Sequence, residues 1–428
     1  NKATGEVYIE NYDKLVLSPG AEPINPFNEV KSNRIFTIRN VKDAEKVKTF
    51  IENNNPKSAV IVGGGYIGVI SIIDNDMAHF IHKEIKKHGV KVYVNEGVNK
   101  IEEHEKLLLT LDNGKIETDL VILCIGVRPE TNLAEESGIN TNKKGAIIVN
   151  NKMQTSDKDI YALGDAVEVK NTITGERNGI ALAGPANRQA RIVANNIHGI
   201  ESSYEGFIGS SILKIFNYSL GIVGLSERVC KNLDIPYKIM IISPYSHATY
   251  YPGAKMLTIK AIYNSKTSQI LGAYVWGKSS VDKITDILSV AIQNKMGAAD
   301  ISALELCYAP PYSSAKSPVN ILGNAIENEM NELVDTIAVE ELKNKENLYI
   351  LDVRTIEEYN ISHIEGAINI PLDELRENIE KLDKSKEIIV HCHSGLRSYL
   401  ACRILKQKGY NVKNLIGGYI MYDIMKNK

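Results

Sequence analysis

The chain has 428 residues, 43% of them apolar and 24% charged, with a formal net charge of −2. This composition is typical of a soluble globular protein with several domains, and the near-neutral charge gives no basic field for nucleic acid or an anionic membrane. No apolar run approaches the roughly 18–20 residues that span a bilayer. The five cysteines are widely spaced and form no C-x-x-C pair. This pattern argues against disulfides and a metal site and favours the reducing cytoplasm.

The first elements are predicted from short apolar runs and the turn residues between them. Residues 7–10 and 14–18 are predicted to be strands, the second ending in a turn that contains Gly20. A charged helix is predicted over residues 41–53, followed by a buried strand at Ala59–Val62.

A G-x-G-x-x-G motif follows that strand directly. Its glycines are Gly63, Gly65 and Gly68, with Tyr66 and Ile67 inside the motif. Such glycines let the backbone approach a pyrophosphate, whose charge then lies at a helix N-terminus. The context predicts a dinucleotide site.

The residues after Gly68 do not complete the expected unit, and two interpretations remain open. In the first, residues 76–88 are the crossover helix and residues 91–94 the second strand, ending in Glu96 as the ribose-binding acid. In the second, a stretch of chain between about Val69 and Ser71 is absent.

Two later segments indicate a second cofactor site. Residues 119–129 form a buried strand that leaves through Gly126, and residues 156–166 end a strand in Gly164 and Asp165, whose carboxylate can accept hydrogen bonds from sugar or ribityl hydroxyls. A helix opening at residues 183–188 follows, and its N-terminal dipole would stabilise negative charge.

These motifs resemble the FAD-dependent pyridine nucleotide-disulfide oxidoreductases, in the subgroup of coenzyme A-disulfide reductases, NADH oxidases and NADH peroxidases. The resemblance covers residues 1 to about 328 and implies FAD, NAD(P)H and coenzyme A as cofactors and substrate. It assigns NAD(P)H to the five motif residues Gly63, Gly65, Tyr66, Ile67 and Gly68. It assigns FAD to Gly164 and Asp165, places the helix start with Ala183 and Pro185 by the flavin ring, and leaves Gly20 and Gly126 as further cofactor-binding residues.

The family pattern is incomplete in this chain. The family's own FAD-binding G-x-G-x-x-G and the redox cysteine beside the flavin are not found, and Cys124, Cys230 and Cys307 do not match that cysteine. We expect these three to be small apolar core residues. Roughly a hundred residues are expected to precede Asn1 in a complete protein of this kind.

A third pattern lies near the end of the chain, where Cys392 separates an apolar run from a helical stretch. The unpaired N–H groups of a first helical turn favour a thiolate or a persulfide anion, and Arg397 adds a fixed positive charge. Residues 351–354, 358–372, 392–398 and 415–419 follow the order of a rhodanese domain. The resemblance implies that Asp352, Arg354 and His363 brace the loop. His391 and His393 flank the cysteine on alternate sides of an extended segment, and we expect neither to bind a metal and His393 to line the mouth of the pocket.

The fold class predicted from these patterns is α/β. We expect two Rossmann-like nucleotide-binding domains, for FAD and NAD(P), an α+β dimerisation domain and a C-terminal rhodanese α/β domain. The predicted boundaries are 1–40 and 132–200 for the FAD domain, 41–131 for the NAD(P) domain, 201–328 for dimerisation and 329–428 for rhodanese.

The resemblance also implies a homodimer, in which tyrosines from the partner subunit reach the thiol side of the flavin. Tyr250 and Tyr308 are the candidates, with Tyr251 and Tyr312 as neighbours; simple interface packing is the alternative. The predicted function is NAD(P)H-dependent reduction of coenzyme A disulfide, persulfide or polysulfide, with sulfur transfer through Cys392. The alternatives are an NADH oxidase or peroxidase with an appended sulfurtransferase, a sulfurtransferase with a degenerate reductase body, or a non-catalytic sulfur carrier.

Overall fold

The structure, a computed structural model, describes residues 4–64, 73–342 and 348–426. Four predicted cofactor residues, Gly65, Tyr66, Ile67 and Gly68, lie outside the described residues. The chain divides into two compact units, one formed by Asn1–Ile72 and Tyr93–Gly209 and the other by Ile73–Val92 and Ser210–Lys428.

The helices and strands follow one another along the chain in a mixed α/β order. Up to residue 209 they are β1 Leu15–Leu17, β2 Ala21–Pro23, β3 Ile35–Thr37, α1 Val41–Asn54, β4 Ala59–Val62, α2 Asn75–Lys87, β5 Val98–Glu103, β6 Leu107–Leu111, β7 Gly114–Thr118, β8 Leu120–Leu123, β9 Val127–Pro129, α3 Asn132–Glu136, β10 Ile147–Ile148, β11 Ile160–Ala162, β12 Val167–Lys170, β13 Arg177–Gly179 and α4 Ala183–Ile197. From residue 210 to 330 they are β14 Ser211–Ile215, β15 Tyr218–Gly224, α5 Glu227–Asn232, β16 Tyr237–Ile242, β17 Leu257–Asn264, β18 Ile270–Gly277, α6 Val281–Gln293, α7 Ala298–Ser302 and α8 Pro318–Met330. The remainder are β19 Asp335–Ile337, α9 Val339–Leu342, β20 Tyr349–Asp352, α10 Ile356–Ile361, β21 Ile368–Asn369, β22 Glu387–His391, α11 Leu396–Gln407, β23 Asn411–Leu415 and α12 Gly418–Lys426.

The first unit contains the parallel strands that carry the cofactor motifs. β8 lies between β3 and β4, and β1 pairs with β11. The predicted helix at 41–53 forms as α1, because Asn40 and Asp43 make a reciprocal capping box at its start. The strand predicted at 7–10 is wrong: these residues are irregular, and Val7 and Ile9 are 90% and 92% exposed. No strand of the described residues pairs with them, so their apolar side chains are not buried in a sheet.

Helix α2 belongs to the second unit and not to the unit that contains β4. Its Lys83 pairs with Asp423 of α12 at 3.0 Å. Residues 91–94 form no strand, and the carboxylate of Glu96 accepts hydrogen bonds from Asn113. The interpretation with residues 76–88 as the crossover helix and Glu96 as the ribose acid is therefore wrong.

The second unit contains two five-stranded sheets. The first is antiparallel, in the order β14-β15-β18-β17-β16, and its central strands β17 and β18 are almost entirely buried. The second is parallel throughout, in the order β19-β23-β22-β20-β21. The carboxyl end of β22 leads into the Cys392 loop, so the sheet fixes where that loop begins. Within the described ranges, no helix is both long enough and apolar enough to cross a bilayer.

Candidate functional site

Sheet register gathers the predicted FAD residues at one edge of the first unit. β1 and β11 pair in parallel with Leu17 opposite Ala162, so both chains leave the sheet on the same side. Gly20 follows the first strand and Gly164 follows the second, with φ angles of +82° and +80°. These left-handed conformations favour glycine. The two predicted glycines therefore follow the same end of one strand pair although most of the unit separates them in sequence.

Gly126 joins the same edge through the β2–β9 pairing. The Ile24 amide donates to the Gly126 carbonyl at 3.0 Å, and Gly126 has a φ of +119°. A side chain added at Gly126 would meet Ile24 Cδ1 at 3.7 Å. The segment from 119 to 129 therefore passes along this edge, and Gly126 is the residue that lies there.

Asp165 is held in place at this edge. Its carboxylate pairs with the guanidinium of Arg39, and both side chains remain partly exposed. The Gly164 amide donates to Gln189 Oε1 of α4 at 2.8 Å, which ties the Gly-Asp turn to the helix that begins at Ala183. Arg39 carries no sequence signal of this role, because its partner lies 126 positions away.

The residues present fit a flavin nucleotide. A Cβ added at Gly164 would meet only Ala186 Cβ, at 3.9 Å, so the backbone there is open to a ligand. The first turn of α4, which includes Pro185, offers unpaired N–H groups and a positive dipole end next to the Asp165 turn. We use the name flavin cradle for this candidate site, which consists of the predicted residues Gly20, Gly126, Gly164, Asp165, Ala183 and Pro185.

Gly63 is the described part of the predicted NAD(P) motif. A Cβ there would lie 2.5 Å from the carbonyl oxygen of Cys124, and φ is +106°. Only glycine lets the end of β4 pass this close to the end of β8. This close approach fits the first glycine of a dinucleotide-binding turn.

The two candidate tyrosines are in contact. Tyr250 and Tyr308 share a hydrogen bond of 2.8 Å between their hydroxyl groups, and this bond raises the pKa of Tyr250. Their neighbours Tyr251 and Tyr312 are also exposed. The structure thus brings the four tyrosines to an accessible surface.

The three cysteines outside the rhodanese domain differ in their surroundings. Cys124 and Cys230 are buried, as expected of core residues, and burial raises the pKa of each thiol, to about 12 for Cys230. The expectation of a core residue is wrong for Cys307, which is exposed because it lies in an irregular segment next to Tyr308.

The Cys392 loop holds its sulfur with donors from its own backbone and from α11. The Gly395 amide donates to Cys392 Sγ at 3.1 Å, and the Ser398 hydroxyl lies 3.5 Å from the same atom. Cys392 is only 1% exposed. Hydrogen bonds of this kind stabilise a sulfur anion at a helix N-terminus.

A buried charged pair supports the strand beneath the loop. Arg354 and Asp352 form a multidentate pair with N–O distances of 2.6 to 3.0 Å, and Arg354 also donates to the Ser362 carbonyl. His391 lies 3.5 Å from Asp352, and burial lowers its pKa to about 4. His363 instead stacks on Tyr359 at 3.9 Å between ring centroids and is exposed.

Glu358 is the partner of Arg397, which the sequence did not reveal. Its carboxylate oxygens accept hydrogen bonds from the guanidinium at 2.6 and 2.8 Å, and this lowers the pKa of Glu358 to about 2. The available signal was a capping box with Thr355 at the start of α10. Among the described residues, no cluster of three or more metal-ligating side chains occurs.

Comparison with known proteins gives relatives for each part of the chain. The family model for pyridine nucleotide-disulphide oxidoreductases matches residues 1–71 and 70–190, its dimerisation domain matches 210–318, and the rhodanese-like domain matches 336–422. A coenzyme A disulfide reductase of Staphylococcus aureus is 33% identical over 347 residues, or 76% of this chain and 78% of that protein.

Two solved structures resemble nearly the whole chain. The reduced CoADR-RHD of Bacillus anthracis is 41% identical with a TM-score of 0.94, covering 99% of this chain and 81% of the other. An NAD-dependent persulfide reductase of A. fulgidus is 32% identical with a TM-score of 0.91, covering 96% and 81%. The predicted resemblance and fold class are confirmed. The chain belongs to the pyridine nucleotide-disulphide oxidoreductase family and carries a dimerisation domain and a rhodanese-like domain.

Proposed function

We propose that this protein reduces coenzyme A disulfide, coenzyme A persulfide or polysulfide with NAD(P)H, and that its rhodanese domain transfers sulfane sulfur through a Cys392 persulfide. The observation that carries the proposal is the combination, in one chain, of the flavin cradle with a loop that donates hydrogen bonds to a cysteine sulfur. The relatives named coenzyme A disulfide reductase and persulfide reductase support a sulfur substrate over the oxidase and adaptor alternatives.

The cofactor roles follow from the cradle and the glycine turn. FAD bound here would supply two-electron transfer between a reduced nicotinamide nucleotide and an S–S bond. Gly20, Gly126 and Gly164 would leave room for the cofactor beside the backbone, and the Asp165 carboxylate would accept hydrogen bonds from its hydroxyl groups. Gly63 begins the turn that receives the dinucleotide.

The rhodanese step is a displacement at sulfur. The Cys392 thiolate attacks the terminal sulfur of a persulfide R–S–SH; a new S–S bond forms at Cys392 and the S–S bond of the donor breaks. The thiolate R–S⁻ leaves and takes the proton from the new Cys392 persulfide. One S–S bond replaces another, so the step needs no oxidant or reductant. The Gly395 amide and Ser398 hydroxyl then stabilise the persulfide anion.

The dimerisation domain supports a homodimer, with Tyr250 and Tyr308 facing the thiol side of the partner subunit's flavin. Their shared hydrogen bond gives one hydroxyl a free lone pair and the other a free proton for a departing coenzyme A thiolate. Five free cysteines support the cytoplasm as the compartment.

The test separates the two activities by substitution at Cys392. Cys392→Ser is expected to abolish loading of sulfane sulfur while leaving NAD(P)H-dependent reduction of coenzyme A disulfide within about twofold, since the sites use different thiols. Cys307→Ser is the matched control, because it removes an exposed thiol outside the rhodanese domain. Equal loss of both activities in Cys392→Ser would overturn the two-site proposal.

A further inference from the structure

The acidic partner of Arg397 is fixed from two sides. Glu358 accepts two hydrogen bonds from the guanidinium, at 2.6 and 2.8 Å, so both of its oxygens are engaged. One of them also accepts from the Thr355 amide at 3.1 Å, and the Glu358 amide donates to the Thr355 hydroxyl. The capping box therefore fixes the Glu358 carboxylate independently of its contact with Arg397.

Arg397 lies in the first turn of α11, next to Ser398, whose hydroxyl is 3.5 Å from the Cys392 sulfur. The hydrogen bond with Glu358 is the largest cause that raises the pKa of Arg397, and Cys392 raises it further. Glu358 and Arg397 keep 32% and 34% of their side-chain surface exposed, at the side of the loop open to solvent. A sulfur-donating substrate that reaches Cys392 therefore meets a guanidinium whose positive charge is already neutralised by Glu358.

Two further basic groups in this domain, Arg354 and His393, are also not free cations. Arg354 is 3% exposed and paired with Asp352. His393 is exposed, and partial desolvation is the largest cause that lowers its pKa, so its neutral form is favoured near neutral pH. The site thus holds its sulfur by backbone and hydroxyl donors and not by excess positive charge.

This balance matters for the group that leaves when sulfur is transferred. Thiosulfate releases sulfite, which carries two negative charges next to the sulfur being transferred, whereas an alkyl persulfide releases a thiolate with one. The nearby Glu358 carboxylate repels sulfite more than it repels the thiolate. It also neutralises the Arg397 guanidinium, which would otherwise stabilise sulfite.

We propose that Glu358 is a specificity-determining positioning residue, which neutralises Arg397 and so selects alkyl persulfides over thiosulfate as donors to Cys392. The inference rests on the proposed function. In both reactions Cys392 gains one sulfur atom by the displacement described above; with thiosulfate, the S–S bond to the sulfonate breaks and sulfite leaves with the electron pair.

The experiment measures the rate of sulfur loading on Cys392 by mass spectrometry, with glutathione persulfide or thiosulfate as the donor. In Glu358→Gln, the thiosulfate rate relative to the persulfide rate is expected to rise about tenfold, as expected for one uncompensated charge near a protein surface. Glu358→Asp restores the charge and is expected to return the ratio toward that of the parent. Glu357→Gln is the matched control, because it removes the same charge from an exposed position of α10.

Three results would overturn the inference: an unchanged ratio in Glu358→Gln, an equal rise in Glu357→Gln, or a parallel fall in both rates. The last would mean that Glu358 is only structural. Failure of the proposed function has a different signature. The mass of the whole protein would then show as much bound sulfur in Cys392→Ser as in the parent protein.

Discussion

The hydroxyl groups of Tyr250 and Tyr308 lie 2.8 Å apart, although 58 positions separate them in the chain. Because the pair is exposed, each hydroxyl keeps hydrogen-bonding capacity for a ligand. Tyr308→Phe is expected to lower the turnover number for coenzyme A disulfide at least about tenfold, in line with the loss of a proton donor. Sulfur loading of Cys392 is expected to stay unchanged.

Steady-state assays of NAD(P)H oxidation check this prediction. Tyr245→Phe serves as the control, because it removes a hydroxyl from another exposed tyrosine of the same domain. If Tyr245→Phe lowered turnover as much as Tyr308→Phe, the tyrosine pair would have no special part in the reaction.

The close approach at Gly63 predicts a local cost for any side chain. Gly63→Ala would push a Cβ to 2.5 Å from the Cys124 carbonyl oxygen. Gly175→Ala is the matched control, since Gly175 also has a positive φ, of +78°, but has nothing within 4 Å of the added carbon. We expect Gly63→Ala to destabilise the protein by about 1–3 kcal/mol more than the control, the usual range for overpacking.

Chemical denaturation measures the difference in unfolding free energy between Gly63→Ala and Gly175→Ala. Titration with NADH measures dinucleotide binding by the same two variants. Equal stability of the two variants would contradict the steric account of Gly63.

Lys260 is a buried cation that depends on three carboxylates. It is 0% exposed and pairs with Asp74, Asp76 and Glu227. Lys260→Met would leave these charges without their partner, so we expect destabilisation of about 3–5 kcal/mol. Thermal unfolding followed by circular dichroism provides the test.

Lys266→Met is the control, because Lys266 is an exposed lysine just after β17. Its expected effect is within about 0.5 kcal/mol. A Lys260→Met protein as stable as this control would show that hydrophobic packing compensates for the lost pairs.

The buried side chain of His391 is expected to make the stability of the rhodanese domain depend on pH. Burial lowers its pKa in the folded state from 6.5 to about 4, so the unfolded chain binds the proton more readily. The stabilising contribution is complete above pH 6.5 and is lost as the pH falls to about 4. His391→Gln is expected to lose less stability than the parent over this window.

Denaturant midpoints at pH 8, 6 and 4.5 follow this loss, with pH 8 as the internal reference for any effect of the substitution itself. A variant that loses stability as steeply as the parent would exclude His391 as the titrating group.

Short segments of the sequence predicted much of the fold and of the site. The apolar strand before Gly63, the Gly-Asp turn at Gly164 and the strand before Cys392 all form where predicted, because each depends on neighbours in the chain. The pattern over residues 7–10 failed for the converse reason: alternation becomes a strand only when another strand pairs with it.

The sequence by itself determined which segments contain glycine turns, a cysteine before a helix and exposed tyrosines, since backbone sterics and helix ends act over a few residues. Tertiary structure alone decided the pairing of Glu358 with Arg397, 39 positions apart, and of Lys260 with Asp76, 184 positions apart. Charges take partners that the folded chain brings within reach; low-dielectric surroundings strengthen the attraction in a buried pair, while desolvation opposes it. Composition and spacing along the chain do not indicate which charged residues the fold brings together.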